Sequence, residues 1–213
     1  MKDFFKNGLE PLSYFIYALS ILIILARTKS NKKEVLFIYY LMASLLIFVA
    51  CYTKEVRVNR LIYNTFFFIT ICVFSYYFKS LVFNKTKKYV INILFIINLI
   101  IFITSSLISQ QFFDINNYVY ATTYLSIVIY ALLYFEDVFR NINELNLIHQ
   151  FDFWLVSGYL LYFLSCFFII LFYDNVEINQ RGTLWSLQNI ILFFSSFFTI
   201  SGSVWIHYQK KYY

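Results

Sequence analysis

Residues 153–173, FWLVSGYLLYFLSCFFIILFY, constrain the fold of this chain more than any other stretch. They hold no charged side chain over 21 residues, and acidic residues stand on both sides, at Asp152 and Asp174. A helix rises about 1.5 Å per residue, so about 20 apolar residues cross the roughly 30 Å hydrocarbon core of a bilayer. The stretch therefore predicts a transmembrane helix.

Six further stretches have the same character, and together they predict an all-α membrane protein, a bundle of seven transmembrane helices in a single domain. The composition agrees, since 61% of the residues are hydrophobic, 13% are charged and the mean hydropathy is +0.68. A soluble domain carries about 25% charged residues. The predicted spans are 9–26, 35–52, 61–78, 89–108, 118–135, 153–173 and 184–208.

The distribution of Lys and Arg between the spans predicts the orientation. With the N-terminus outside, the segments that face the cytoplasm hold eleven positive charges and those on the other side hold six. Cytoplasmic segments carry the excess of Lys and Arg in membrane proteins. We therefore expect a bacterial cytoplasmic (inner) membrane protein with its C-terminus inside. The same rule explains the net charge of +6, so no nucleic-acid partner is expected.

Charged residues are placed in a way that argues against several functions. All 17 basic residues and ten of the 11 acidic residues fall outside the predicted spans, and the exception, Glu10, is the second residue of the first span. Ion-coupled transporters and proton pumps keep ionisable groups within the membrane. The last span contains no lysine that could hold retinal. These observations argue against ion-coupled transport and light-driven chemistry.

Catalytic and metal-binding patterns are also missing from the sequence. His149 and His207 have no acid or cysteine at metal-ligand spacing. The three cysteines lack the paired spacing of a metal site or a disulfide framework. The chain has four glycines and neither a G-x-S-x-G motif nor a phosphate-binding loop. We expect a non-enzymatic protein with no catalytic residue, no cofactor and no metal.

Small and polar residues form two stripes on the sixth predicted helix. Ser157 and Ser165 lie on one stripe, and Gly158, Tyr162 and Cys166 lie four apart on the next. Small residues let two helices approach closely in lipid. We expect this face to point into the bundle, either as a packing seam or as the lining of a ligand cavity.

The seventh predicted helix begins with a second polar group. Trp185 and Gln188 lie three residues apart, and Asn189 follows. These side chains predict either hydrogen bonds that brace the bundle or a pocket shared with the far end of the sixth helix, near Cys166. Other neutral polar residues in the spans present the same alternatives: Asn64, Asn92, Asn98, Thr122 and Thr123.

Residues 136–150, EDVFRNINELNLIHQ, form the longest stretch outside the spans. Their apolar residues recur at helical spacing, with charged residues between them. They predict an extension of the fifth helix into the cytoplasm, or a helix lying at the interface that could dock a partner.

The sixth helix resembles a known sequence signature. Phe153, Trp154, Ser157, Gly158, Leu160 and Tyr162 match F-W-x-x-S-G-x-L-x-Y. This motif is similar to that of a family of small seven-helix integral membrane proteins of Bacteroidota-type bacteria. A proline usually precedes the Phe-Trp pair in that family, and a histidine often stands where this chain has Gln188. Both are missing here.

The resemblance implies a signalling context, because such proteins tend to be encoded near histidine kinases and response regulators. We therefore expect a sensory or accessory module that acts with a separate partner. The alternative is a carrier for a small neutral or lipidic solute. The expected partners are the lipid bilayer, a histidine kinase or other membrane protein, and a second copy of the chain.

Overall fold

The computed structural model describes most of the second half of the chain and part of the first. The described residues are 35–36, 38–42, 45, 56–108, 117–141, 150–173 and 175–212. They include no β-strand. Within them lie five long helices: α1 Val56–Leu81, α2 Lys85–Ile108, α3 Asn117–Asn141, α4 Phe151–Tyr173 and α5 Ile178–Tyr212.

These five helices cover the third to seventh predicted spans. Each contains a segment long and apolar enough to cross a membrane. The described residues of the second predicted span are helical, at 35–36, 38–42 and 45. The first predicted span, 9–26, lies outside the described residues. The all-helical class is thus confirmed for the described part of the chain.

The helices are longer than the hydropathy pattern predicts. The α3 helix continues past the predicted end at 135 to Asn141, and α5 reaches Tyr212. An apolar run marks only the part of a helix that lipid or protein can cover. The backbone hydrogen bonds of a helix continue through charged residues as well. The segment from 136 to 141 is therefore a continuation of α3, and residues 142–149 lie outside the described part.

Side-chain contacts show that consecutive helices run in opposite directions. Phe163 of α4 lies against Tyr124 of α3, and Phe153 lies against Phe135. The residue number rises along one helix as it falls along the other. The α1–α2 turn, the end of α3, the start of α4 and the end of α5 thus share one end of the bundle, which we call the lysine end. The end of α2, the start of α3 and the α4–α5 turn share the opposite end.

Among the described helices, α1, α3 and α4 form the centre of the core, and Leu36, Tyr39 and Tyr40 of the second predicted span pack into it. Phe74 of α1 meets Tyr159 and Phe163 of α4 edge to face, with ring centroids 4.9 and 5.0 Å apart. On the α3 side, Phe67 stacks on Tyr120 at 3.6 Å. Edge-to-face and stacked ring pairs are the favourable aromatic geometries. The high Phe and Tyr content of the chain thus fills the space between these helices.

The other two helices lie outside this core. The α2 helix packs on α1 and α3, and α5 packs on α4. Much of the apolar surface of both is exposed in the protein alone, including Ile96 and Ile100 of α2 and Phe194 and Phe197 of α5. This distribution is inverted relative to a soluble protein, and it suits helices that are surrounded by lipid.

Candidate functional site

The predicted face of the sixth span forms the contact between α4 and α5. The carbonyl of Gly158 accepts a hydrogen bond from the Ser195 hydroxyl at 2.9 Å, which brings a side chain of one helix onto the backbone of the other. Nearer the lysine end, a Cβ atom built on Gly202 would overlap the Cβ of Trp154. Gly202 thus lets the side chain of Trp154 approach the backbone of α5 closely.

Further along the same contact, three polar side chains meet. The amide of Gln188 donates to the Tyr162 hydroxyl at 3.3 Å. The thiol of Cys166, one turn along α4 from Tyr162, is fully buried beside them. The structure therefore brings Gln188 of α5 to the middle of α4, at Tyr162. The sequence allows either hydrogen bonds that brace the bundle or a ligand pocket at this position. The contact seen here joins two side chains of the protein, as a bracing hydrogen bond does.

The remaining candidates from the sequence are placed differently. Ser157 and Ser165 donate to the carbonyls of Phe153 and Leu161, four residues earlier in their own helix, at 2.8 Å. Asn189 is buried beside Gln188. Trp185 lies in α5, and its side chain is outside the described part of the structure. The two serines thus satisfy their hydroxyls locally.

Polar residues elsewhere in the spans also pair across helices. Asn64 of α1 accepts from the Tyr120 hydroxyl at 2.7 Å. Asn98 of α2 donates to Ser126 of α3 at 2.6 Å and accepts from Thr123 at 3.4 Å. A carboxamide in an apolar environment needs such partners. These pairs fix α1, α2 and α3 against one another.

Tyrosine hydroxyls extend this network toward the lysine end. Tyr40 donates to Tyr159 of α4 at 2.6 Å, and Tyr77 of α1 donates to the carboxylate of Asp152 at 3.1 Å. Tyr130 of α3 accepts from Ser75 and donates to the carbonyl of Ile91. The Tyr134 hydroxyl is also buried, but it has no hydrogen-bond partner in the described ranges.

A buried ion pair at the lysine end was not predicted from the sequence. Asp137 of α3 accepts hydrogen bonds from the backbone N–H groups of Phe83 and Asn84, at 2.5 and 3.3 Å. Lys87 lies 3.5 Å from its other oxygen and 3.3 Å from Glu136. The side chains of Asp137 and Lys87 are 3% and 10% exposed. We call this group the turn clamp, because it holds the α1–α2 turn against α3.

The sequence contained a signal for this clamp. Asp137 lies three and seven residues after Tyr134 and Tyr130, so all three share the inward face of α3. The apolar run ends at Phe135, so hydropathy alone does not connect Asp137 with the inward face of α3.

The polar side chains described above form hydrogen bonds and one buried ion pair between helices. These contacts hold the helices together. Among the described residues, no group of three or more His, Cys, Asp or Glu side chains is placed to hold a metal ion. Five of the described helices are long and apolar enough to cross a membrane, which is the pattern of a multi-pass α-helical membrane protein. Comparison with family models, curated proteins and solved structures found no match.

Proposed function

We propose that this chain is a non-enzymatic module of a bacterial cytoplasmic membrane that acts with a separate signalling partner. In this proposal it has seven spans, with its N-terminus outside, and a sensory or accessory role. The observation that carries the proposal is that polar groups within the helices are used to hold the helices together. Asn64, Asn98 and Gln188 each bond a side chain of a neighbouring helix.

A carrier uses such groups differently. Transporters bind their substrates near the middle of the membrane, on polar groups that line a path and exchange partners during the cycle. Here the helices that share these polar pairs also pack against one another through aromatic rings. Such packing favours a bundle that moves as one body. Substrate transport is therefore the weaker of the two functions.

The lysine end is the expected contact for a cytoplasmic partner. There the α3 helix continues to Asn141 and presents Phe139, which is 62% exposed, and Arg140. The resemblance of the Phe153–Tyr162 motif to proteins encoded near histidine kinases supports a kinase as that partner. The excess of positive charge at this end supports its placement in the cytoplasm.

Site-specific photo-crosslinking in native membranes tests this proposal. A photoreactive phenylalanine analogue replaces Phe139 in one variant and Tyr118 in its control. Both are exposed aromatic residues of α3, and they lie near opposite ends of the helix. We expect position 139 to capture one defined membrane protein that position 118 does not capture.

A functional assay completes the test. The captured protein is purified, and its activity is measured in proteoliposomes with and without this chain; a change in activity is expected. Equal capture at both positions, or an unchanged activity, contradicts the signalling role. Solute uptake by proteoliposomes containing this chain alone would support the carrier instead.

A further inference from the structure

The chemical character of the α2 surface changes along the helix in the same sequence as that of a lipid leaflet. Its exposed apolar side chains form a continuous stripe from Ile103 back to Ile93. Next toward the lysine end comes Tyr89, 66% exposed, and then the lysines of the turn. An apolar stripe, an aromatic ring and then positive charge match the acyl chains, the interface and the headgroups of a bilayer in turn.

The four lysines between residues 79 and 88 do not have equal roles. Lys87 points inward and forms the turn clamp with Asp137 and Glu136. Lys79 and Lys85 are exposed and Lys88 is partly exposed, and none of these three forms an ion pair among the described residues. The more exposed acid of the turn clamp, Glu136, already pairs with both Lys87 and Arg140. Within the described ranges, these three positive charges thus have no acidic partner.

The opposite end of α2 lacks this arrangement. The sequence from Ser105 to Tyr118 contains no lysine or arginine, and its single charged residue is Asp114. The difference between the two ends of one helix indicates that the positive charge marks one leaflet. A requirement for general solubility would not place it at one end alone.

We propose that Lys79, Lys85 and Lys88, with Tyr89 beside them, form a binding surface for the headgroups of anionic phospholipids. The lysine ammonium groups contact the lipid phosphates, and the apolar stripe of α2 contacts the acyl chains. Each lysine near an anionic membrane surface strengthens binding about fivefold. This inference does not depend on the proposed signalling role.

Thermal unfolding of the purified protein in detergent tests the inference. Phosphatidylglycerol and phosphatidylcholine with identical acyl chains are titrated separately. A lipid that binds the folded state raises the melting temperature. We expect phosphatidylglycerol to raise it at lower mole fraction than phosphatidylcholine. In a Lys85→Gln/Lys88→Gln variant, we expect the mole fraction of phosphatidylglycerol for half the effect to rise roughly 25-fold.

Two controls make the outcome decisive. Arg181→Gln removes a positive charge at the opposite end of the bundle and should keep the response of the parent protein. Inorganic phosphate is titrated in place of lipid, and no stabilisation is expected. An equal response to both lipids, an unchanged response in the double variant, or an effect of phosphate alone that matches that of phosphatidylglycerol would each overturn the proposal.

Discussion

Individual residues in this protein act mainly by allowing or fixing helix contacts. In lipid, helices gain little from the hydrophobic effect on association, so close packing and hydrogen bonds decide which faces meet. Gly202 lets Trp154 pack against the backbone of α5, and Ser195 bonds the carbonyl of Gly158. Each of these contacts depends on the size or the single polar atom of one side chain, so each can be tested by one substitution.

The glycines of α5 offer a matched comparison. We expect Gly202→Ala to lower the free energy of unfolding by about 1–3 kcal/mol, because its methyl group would overlap Trp154 near the backbone. No atom lies within 4 Å of a Cβ built on Gly182, so Gly182→Ala should be neutral or stabilise the helix by about 0.5–1 kcal/mol. Thermal unfolding in detergent measures both. Equal effects of the two substitutions would show that α4 and α5 do not meet at Gly202.

Gln188 and Tyr162 can be tested by a double-mutant cycle. We expect Gln188→Leu to destabilise the bundle by about 0.6–2 kcal/mol, because the hydroxyl of Tyr162 loses its partner across the helix contact. In a Tyr162→Phe background the same change should cost much less. If the two effects simply add, the residues do not interact, and the bracing role assigned to Gln188 is wrong.

Two buried tyrosines of α3 should respond in opposite ways to removal of the hydroxyl. Tyr130 has hydrogen bonds to Ser75 and to the carbonyl of Ile91, whereas the buried hydroxyl of Tyr134 has no partner in the described part. We expect Tyr130→Phe to cost about 1 kcal/mol and Tyr134→Phe to be neutral or stabilising. Unfolding measurements on the two variants, side by side, would falsify this assignment if Tyr134→Phe proved the more damaging.

At the scale of elements, the turn clamp connects three helices through a single carboxylate. Asp137 accepts two backbone N–H groups from the α1–α2 turn and also pairs with Lys87 at the start of α2. These N–H groups are partly buried, and such groups need an acceptor. The position of α2 beside α3 therefore depends on a residue that lies about 50 positions later in the chain.

Removal of this carboxylate should be costly. We expect Asp137→Ala to lower the free energy of unfolding by about 3 kcal/mol, because it leaves Lys87 buried beside unsatisfied N–H groups. The neighbouring Glu136 is 44% exposed, so Glu136→Ala should cost less than about 1 kcal/mol. Denaturation of both variants in the same detergent gives the comparison. A similar, small loss in both would mean that the clamp contributes little.

For the whole molecule, the up-and-down order of the helices decides which segments share a side of the membrane. The α1–α2 turn and the start of α4 lie at the lysine end, and the α4–α5 turn lies at the other. The excess of lysine and arginine predicts that the lysine end is cytoplasmic.

Labelling of an introduced cysteine checks this arrangement in cells. We place one cysteine at Asn84 or at Glu177, both exposed in turns at opposite ends, and use the parent chain as the blank. A membrane-impermeant thiol reagent added outside should label position 177 and spare position 84. The reverse pattern contradicts the orientation, and labelling of both from one side contradicts the alternating order of the helices.

The sequence by itself determined the class of this protein and the approximate position of its helices. Uncharged runs of about 20 residues have few other stable forms, because the backbone polar groups must be satisfied within the segment when lipid surrounds it. The small residues of 153–173 also indicated a face that packs, since Gly158 and Cys166 are buried against α5. Such patterns are local and can be read along the chain.

The tertiary structure alone decided which residues meet. Hydropathy does not distinguish one Phe or Tyr from another, and only the fold shows that Phe74, Tyr159 and Phe163 fill the central core. It also places Asp137 outside the fifth predicted span, because a charge ends an apolar run. A carboxylate can be buried when backbone N–H groups and a lysine surround it. Those partners come from residues 83–87, and only folding brings them to α3.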